Sequence, residues 1–337
     1  MDGTTLVTGG AGFIGSHLAD ALLARGGSVV VLDDLSTGRI ANLDAVVDHP
    51  RFRFVHGSIL DELLTDDLVR RCDTVVHLAA AVGVELVLAK PLQSLITNVH
   101  GSHIVIDAAS RHHRKVLLAS TSEIYGKNAS GPLAETDDRI LGSPTVARWA
   151  YSTAKAIDEI LANAYHLEHG LEAIVVRLFN TVGPRQSPAY GMVIPRLIRQ
   201  ALAGEPLTVY GTGRQTRCFA HVTDVVSALV ALLDEPAAVG QTFNVGTNQE
   251  VSILHLARAI IEHTDSDSEV RFVPYDEAYG AGFEDMTRRV PDTGKLRGLT
   301  GWVPGHTLDD AIRDTVAEMR AGGVTSGAAE RVGLVPS

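Results

Sequence analysis

The sequence predicts an α/β fold, a doubly wound parallel sheet with a smaller C-terminal lobe, and three features point to it. Short β-branched runs alternate with segments of helical period through the first half, a glycine-rich turn directly follows the first run, and the texture changes after Asn180. Such alternation writes consecutive βαβ units, because parallel neighbours need a crossover that a helix supplies. In order, strands are expected at 5–8, 28–32, 52–56, 74–78, 115–120 and 173–177, each a short apolar run. Helices are expected between them, notably at 14–25, 91–110 and 147–169, and right-handed crossovers place them on both faces of one sheet. Beyond Asn180, Gly183, Pro184, Pro188 and Gly191 interrupt the pattern before a helix at 194–202, a glycine-rich loop at 210–214 and a buried helix at 222–233. A strand at 242–245 is expected to return to the sheet edge. The lobes then interleave: 1–180 with about 221–247 form the first domain, 181–220 and 248–320 the second, and 321–337 a loosely ordered tail.

With 337 residues, 45% hydrophobic and 20% charged, the chain is long enough for two lobes and too apolar for disorder. Its 29 basic and 40 acidic residues leave a net charge of −11, so neither nucleic acid nor an acidic membrane is an expected partner. An anionic ligand would need a local site. Cys72 and Cys218 make neither a disulfide framework nor a zinc site. No basic leader precedes the first strand and no apolar run reaches the ~18 residues that span a bilayer, so a cytoplasmic protein without export is expected.

The first strand runs into Gly9-Gly10-Ala11-Gly12-Phe13-Ile14-Gly15 and then an apolar helix, with glycines at 9, 12 and 15 in a G-x-x-G-x-x-G spacing. A Rossmann-type dinucleotide site needs a tight turn, bare backbone against a pyrophosphate, and close packing of helix on strand. The helix N-terminus adds N–H donors and partial positive charge, which lets an acidic protein hold a dianion. The second strand ends in Asp33-Asp34, roughly twenty residues past the turn, as the fingerprint requires. A carboxylate there accepts from ribose hydroxyls and repels a 2′-phosphate, so NAD is expected over NADP.

Tyr151 and Lys155 lie four apart on an expected helix and therefore share a face. A tyrosine base near neutral pH needs its pKa of about 10 lowered by about three units, and a cation at about 4 Å supplies roughly that in a medium of effective dielectric about 20. Burial opposes the shift, so the oxidised nicotinamide ring is expected as a second cation. The strand at 115–120 ends in Ser120-Thr121-Ser122-Glu123, at the carboxyl edge where parallel sheets bind ligands. Thr121 could bond a substrate hydroxyl and share its proton with Tyr151.

These motifs come in a fixed order with His77-Leu78-Ala79-Ala80, Ser120 to Gly126, Arg177-Leu178-Phe179-Asn180, Gly183-Pro184-Arg185 and Arg217 to Asp224. The set resembles the extended short-chain dehydrogenase/reductases that act on nucleotide sugars as epimerases, dehydratases and decarboxylases. The resemblance implies that Tyr151 is the base, Lys155 holds the nicotinamide ribose, and Thr121, Ser122 and Glu123 complete the catalytic group. It also implies that Ser36, Thr37, Gly38, Ile59, Leu78, Ala79, Ala80 and Asn98 surround NAD. The family residue that reads adenine is commonly Asp, whereas here Ser58 stands in its place.

For the substrate, the resemblance implies a UDP handle on Asn180, Val193, Tyr210, Gln215 and Arg217, with Arg217 on phosphate and Gln215 near ribose. Arg185 or Arg289 could bind the carboxylate of a hexuronic acid, or each could instead pair with acids such as Glu284 or Asp285. Two outcomes of C4 oxidation stay open. Glu123 with the Arg289-Val290-Pro291 segment resembles UDP-glucuronate decarboxylases, while Thr181 to Arg185, Tyr190 to Pro195 and Tyr275 to Arg289 resemble 4-epimerases. The expected reaction is 4-epimerisation of UDP-glucuronate to UDP-galacturonate, with decarboxylation or UDP-glucose 4-epimerisation as alternatives. A 4,6-dehydratase fits less well, since that turn usually carries Asp-Glu where Ser122-Glu123 stands here. A non-catalytic NAD- or sugar-binding regulator is the rival class, against which Thr121, Tyr151 and Lys155 all argue. The 14 histidines, including His100/His103 and His112/His113, lack ligand spacing, and no metal is expected. Apolar stripes at Ala154, Ile157 and Leu161 and at Ala156, Ile160 and Leu167 leave a face for a homodimer.

Overall fold

A computed structural model describes residues 3–83, 90–128, 130–146, 149–189, 192–279, 286 and 288–323. The first half reads β1 (Thr4–Thr8), α1 (Phe13–Ala24), β2 (Ser28–Asp33), β3 (Phe52–His56), α2 (Glu62–Arg70), β4 (Thr74–His77), α3 (Pro91–Leu95), α4 (Ser102–Arg111), β5 (Lys115–Thr121), α5 (Ala150–His169) and β6 (Ala173–Leu178). Then come β7 (Thr181–Val182), α6 (Val193–Leu202), β8 (Leu207–Tyr210), β9 (Thr216–Cys218), β10 (Ala220–His221), α7 (Val222–Asp234) and β11 (Gln241–Val245). The chain continues through β12 (Glu250–Ser252), α8 (Ile253–Thr264), β13 (Val270–Val273), α9 (Tyr275–Tyr279), β14 (Arg288–Arg289), α10 (Gly294–Thr300) and α11 (Leu308–Gly323).

Seven parallel strands form one sheet in the order β3-β2-β1-β4-β5-β6-β11, so the order reverses between β1 and β4. A crevice opens at such a switch point, above the carboxyl ends of the strands. One face packs under α1 and α7 through Leu18, Leu22, Val225, Leu229 and Phe243; the other packs under α2, α4 and α5 through Leu68, Val105, Ala109 and Ala162. Near-continuous apolar strands are what a sheet covered on both faces requires. A separate core joins α6, α8 and α11 through Leu197, Leu256, Ile260 and Ile312, beside three small sheets built from β7–β10 and β12–β14.

The strand returning at the sheet edge is present as β11, paired to β6 from Gln241 to Val245. The helix expected at 91–110 is present and uninterrupted, running through α3, a π-helical turn over Ile96–Gly101, and α4. The widened turn swings Asn98 inward, where its amide bonds Ala81 N and Ala81 O. The apolar stripes on α5 also differ from expectation: Ala154 and Ala156 are buried, whereas Ile157, Ile160 and Leu167 are 37%, 63% and 83% exposed. The expected helix start at Ala147, Tyr190, Gly191 and the tail from 324 lie outside the described residues.

Glu159 on α5 ties the helix to the sheet. Arg177 of β6 makes an ion pair with it at 2.8 Å, and Ser120 Oγ of β5 donates to it at 2.5 Å. Arg177 Nη1 also donates to Tyr125 Oη, which donates to Asn244 Oδ1 of β11. Removing one partner strands a buried charge, which costs about 3–5 kcal/mol. Arg177→Met should lower unfolding free energy by about that amount in denaturant titration, and Glu159→Gln by less, because the amide still accepts from Ser120.

Candidate active site

Residues from the seven-strand sheet and from the core of α6 and α8 enclose a cavity of about 610 Å³ over the carboxyl ends of the strands. At one end, β1 turns at Gly9 with φ +71°, and Gly12 N closes the turn on Gly9 O at 3.1 Å. Helix α1 then begins with no side-chain cap and no acid in its first turn, leaving its N–H groups available to an anion. A Cβ at Gly9 would lie 2.7 Å from Ala79 N, and one at Gly15 would lie 2.4 Å from Gly9 O. Only bare backbone permits this approach of helix to strand. Asp33, 8% exposed, accepts from Ala11 N at 2.9 Å and Leu35 N at 2.8 Å. Burial pushes its carboxyl up and these two N–H groups pull it back. A carboxylate has about four acceptor positions, so two remain for ribose hydroxyls. The turn, the uncapped helix and the acid together fit NAD.

Gly9, Gly12, Phe13, Ile14, Gly15, Asp33, Asp34, Ser36, Thr37, Ile59, Leu78, Ala79 and Ala80 all line this end of the cavity. Three expected cofactor residues sit behind the wall. Gly38 packs on Asp33, where a Cβ would come within 2.9 Å of Asp33 Oδ1. Ser58 Oγ accepts from Leu60 N, and Asn98 is committed to Ala81, so these side chains shape the backbone that faces the ligand. Arg39 and Asn42 line the same end and were not anticipated. Asn42 Nδ2 bonds Ala11 O, a contact that no local spacing announces.

At the centre, Thr121, Ser122, Glu123, Tyr151 and Lys155 line one wall. The turn after β5 is fixed to α5 by Ser152 Oγ donating to Glu123 O at 2.7 Å. Thr121 Oγ1 accepts from Glu123 N at 3.2 Å and keeps its own proton to donate. The expected acidification of Tyr151 is not what this protein alone produces. Enclosure raises the phenol above its ordinary value, and Glu123 and Asp158 push the same way. Burial is the main cause, and Lys155, whose Nζ lies 3.1 Å from Asp158, does not offset it.

The substrate end is lined by Asn180, Arg185, Val193, Tyr210, Gln215, Arg217 and Arg289. Asn180 Nδ2 donates to Cys218 O and Gln215 Nε2 to Tyr210 O, while Arg217 Nη1 donates to Thr216 O. Arg185 pairs with Asp20 of α1 at 2.8 Å, and its backbone N donates to Glu318, which ties α1 to α11. Arg289, 8% exposed, reaches across to the opposite wall: its Nη1 lies 3.2 Å from Ser122 Oγ and 3.6 Å from Glu123 Oε1. Glu284 and Asp285, the partners considered for both arginines, lie outside the described residues. Arg196 and Tyr275 also line this end without having been anticipated. The Arg196 guanidinium lies 4.4 Å from the Tyr210 ring centroid, and the Tyr275 ring closes over Gly211. Among the described residues no group of three His, Cys, Asp or Glu side chains is placed to hold a metal ion, and no helix is long and apolar enough to cross a membrane.

A glycine cradle at the switch point of a seven-strand parallel sheet, with Tyr151 and Lys155 on one helix face beside it, defines an extended short-chain dehydrogenase/reductase. The chain belongs to the NAD dependent epimerase/dehydratase family, which it matches over residues 5–246, and its cofactor is NAD. It is 39% identical over 316 residues to the UDP-N-acetyl-alpha-D-glucosaminuronate decarboxylase of Bacillus cytotoxicus, covering 94% of this chain and 97% of the relative. It is 37% identical over 315 residues to UDP-glucuronic acid decarboxylase 1 of Xenopus tropicalis, covering 94% of this chain and 72% of that one. The solved UDP-glucuronic acid 4-epimerase of Bacillus cereus, in complex with UDP-glucuronic acid and NAD, superposes with a TM-score of 0.85 at 29% identity, covering 94% of this chain and 99% of that chain.

Gly15→Ala should abolish NAD binding in calorimetry while far-ultraviolet circular dichroism stays unchanged, because the added methyl meets backbone and not a movable side chain. In the NAD-free protein, an ultraviolet tyrosinate titration should give superimposable curves for wild type and Tyr151→Phe up to about pH 10, since the raised phenol stays protonated there.

Proposed function

We propose that this protein is an NAD-dependent UDP-uronate decarboxylase, which oxidises C4 of a UDP-glucuronate-type sugar, releases its C6 carboxylate as carbon dioxide and yields the shortened UDP-sugar. The observation that carries this reading is Arg289, buried across the cavity against Ser122 and Glu123. A buried guanidinium suits a sugar carboxylate, and a neutral hexose has no group to answer it. The decarboxylase names of the two curated relatives support the same reading.

The UDP handle rests on Arg217, Asn180, Val193, Tyr210 and Gln215. With NAD bound, its oxidised ring would add the second positive charge that lets Tyr151 ionise and, assisted by Thr121, take the proton of the C4 hydroxyl, while Lys155 holds the nicotinamide ribose. NAD, held by the 9–15 turn, Asp33 and Lys155, would supply reversible hydride transfer at C4. A 4-keto uronate is a β-keto acid, so its C5–C6 bond breaks with the electron pair passing into the C4–C5 enolate. Glu123 then supplies the proton that C5 requires. Substrate binding favours that role: two carboxylates facing one guanidinium raise the affinity of one of them for a proton.

A second reading, C4 epimerisation of UDP-glucuronate to UDP-galacturonate, is favoured by the likeness to the Bacillus cereus epimerase. Epimerisation must turn the keto sugar over within the site, and an Arg289–carboxylate contact resists that rotation. UDP-glucose 4-epimerisation would leave Arg289 without a substrate partner. The exposed Leu92, Ile96, Ile160 and Leu167 on α3, the π turn and α5 fit a second copy of this chain, as a homodimer.

Incubation of the NAD-loaded protein with UDP-glucuronate and with its 2-acetamido counterpart should release carbon dioxide and a UDP-sugar one carboxyl lighter. Equal-mass UDP-galacturonate as the main product selects the epimerase. Arg289→Gln should lower kcat/KM for the uronate about 10²–10³-fold, the scale of one desolvated charge contact. Light scattering at micromolar concentration should give twice the chain mass; Ile160→Glu should return it to one.

A further inference from the structure

A buried chain of polar groups ends at Lys155 and has no part in the roles assigned so far. The Lys155 side chain is 3% exposed, and Asp158 beside it is wholly buried. Asp158 Oδ2 accepts from Lys155 Nζ at 3.1 Å and from Ser102 Oγ at 2.9 Å. His77 Nε2 lies 3.0 Å from Ser102 Oγ, Thr8 Oγ1 lies 2.7 Å from His77 Nδ1, and Ala79 N donates to Thr8 Oγ1 at 3.3 Å. Proton counting gives the chain a direction. Ser102 has one hydroxyl proton and gives it to the carboxylate, so His77 Nε2 must donate to Ser102. Burial, with Lys155 nearby, pushes the His77 pKa down to about 3 and keeps the ring neutral. Its Nδ1 is therefore bare and accepts from Thr8, whose oxygen accepts from Ala79. Each donor points from the cofactor wall toward Asp158, across β1, β4, α4 and α5.

We propose that Asp158 is a positioning residue for Lys155: its carboxylate keeps the buried ammonium protonated and, through Ser102, His77 and Thr8, holds it in register with the cofactor wall at 78–80. The inference deepens and rests on the reading of Tyr151 and Lys155 given above. A lysine enclosed without a counter-charge surrenders its proton as pH rises, and then can no longer donate with a full charge. Asp158 is matched to the task. Burial raises its carboxyl, Lys155 lowers it, and its Oδ1 has no hydrogen-bond partner among the described residues. The titratable groups around Lys155 and Tyr151 are Asp158 on α5, His77 on β4 and Glu123 on the turn after β5, while Glu159 is taken by Arg177. From α4, Ser102 contributes a hydroxyl that does not titrate.

Asp158→Asn keeps the size of the side chain and removes its charge; Asp158→Glu restores the charge. NAD affinity, measured by calorimetry at rising pH, needs no turnover. Wild type and Asp158→Glu should hold their affinity to about pH 9, whereas Asp158→Asn should lose about tenfold between about pH 7 and 9.5 as Lys155 deprotonates. With a UDP-uronate, Asp158→Asn should lower kcat about 10²-fold with KM within about threefold, and move the alkaline limb of the pH profile down by at least about one unit. Ser102→Ala, which loosens the carboxylate but leaves its charge, should show the same alkaline shift at smaller size, and carries the test if Asp158→Asn does not fold. The proposal is overturned if the variants reproduce the wild-type affinity at every pH, or if they lose thermal stability and activity with no alkaline shift. If Tyr151→Phe stays active the assignment of the base fails, whereas a flat NAD titration beside an inactive Tyr151→Phe sinks only the role of Asp158.

Discussion

Two consecutive acids on one helix, Asp158 and Glu159, are both buried against the sheet, and each is answered by one cation. Adjacent buried carboxylates repel each other and lose hydration, so the helix can dock only where Lys155 and Arg177 neutralise them. That requirement fixes α5 in rotation and height. Tyr151 lies one turn from Lys155 on the same helix, and Ser152 holds the turn at Glu123. Arg177 passes the constraint on through Tyr125 to Asn244, whose amide reaches Leu133 O and Asp292 O, three residues beyond Arg289. The walls that carry Tyr151 and Arg289 are thus held by buried polar contacts, whose couplings are worth more than their separate bonds.

The charge distribution suits the ligands. A protein of net charge −11 gathers Arg185, Arg196, Arg217 and Arg289 around one end of its cavity and an uncapped helix N-terminus around the other. Anions are held by local fields at short range, where the long-range repulsion of the whole chain is screened. Arg185 is partly occupied by Asp20, which ties the segment after β7 to α1, and Arg289 is a cation that faces Glu123.

Much of this arrangement was legible in the chain. The strands from β1 to β6 fall within a residue of the apolar runs that announce them, and the glycines at 9, 12 and 15 sit where backbone contacts exclude a side chain. The π-helical turn at Ile96–Gly101 was not legible: it sets Asn98 against Ala81, 17 positions away, a contact that no local pattern contains. That burial opposes acidification of Tyr151 was legible; that Glu123 and Asp158 push the phenol the same way was not, because four-residue spacing shows only that Lys155 shares its helix face.

Local pattern by itself determined the parallel sheet, the phosphate cradle and the pairing of Tyr151 with Lys155, because periodicity and backbone freedom are properties of neighbouring residues. Tertiary structure alone decided that Arg289 meets Ser122 and Glu123, which lie 167 and 166 positions away, and that Thr8, His77, Ser102 and Asp158 form one directed chain. Those contacts depend on which strands become neighbours and how far α5 sinks against them. That outcome is set by the burial of the whole core and by the charges it must neutralise, neither of which any single stretch of sequence contains.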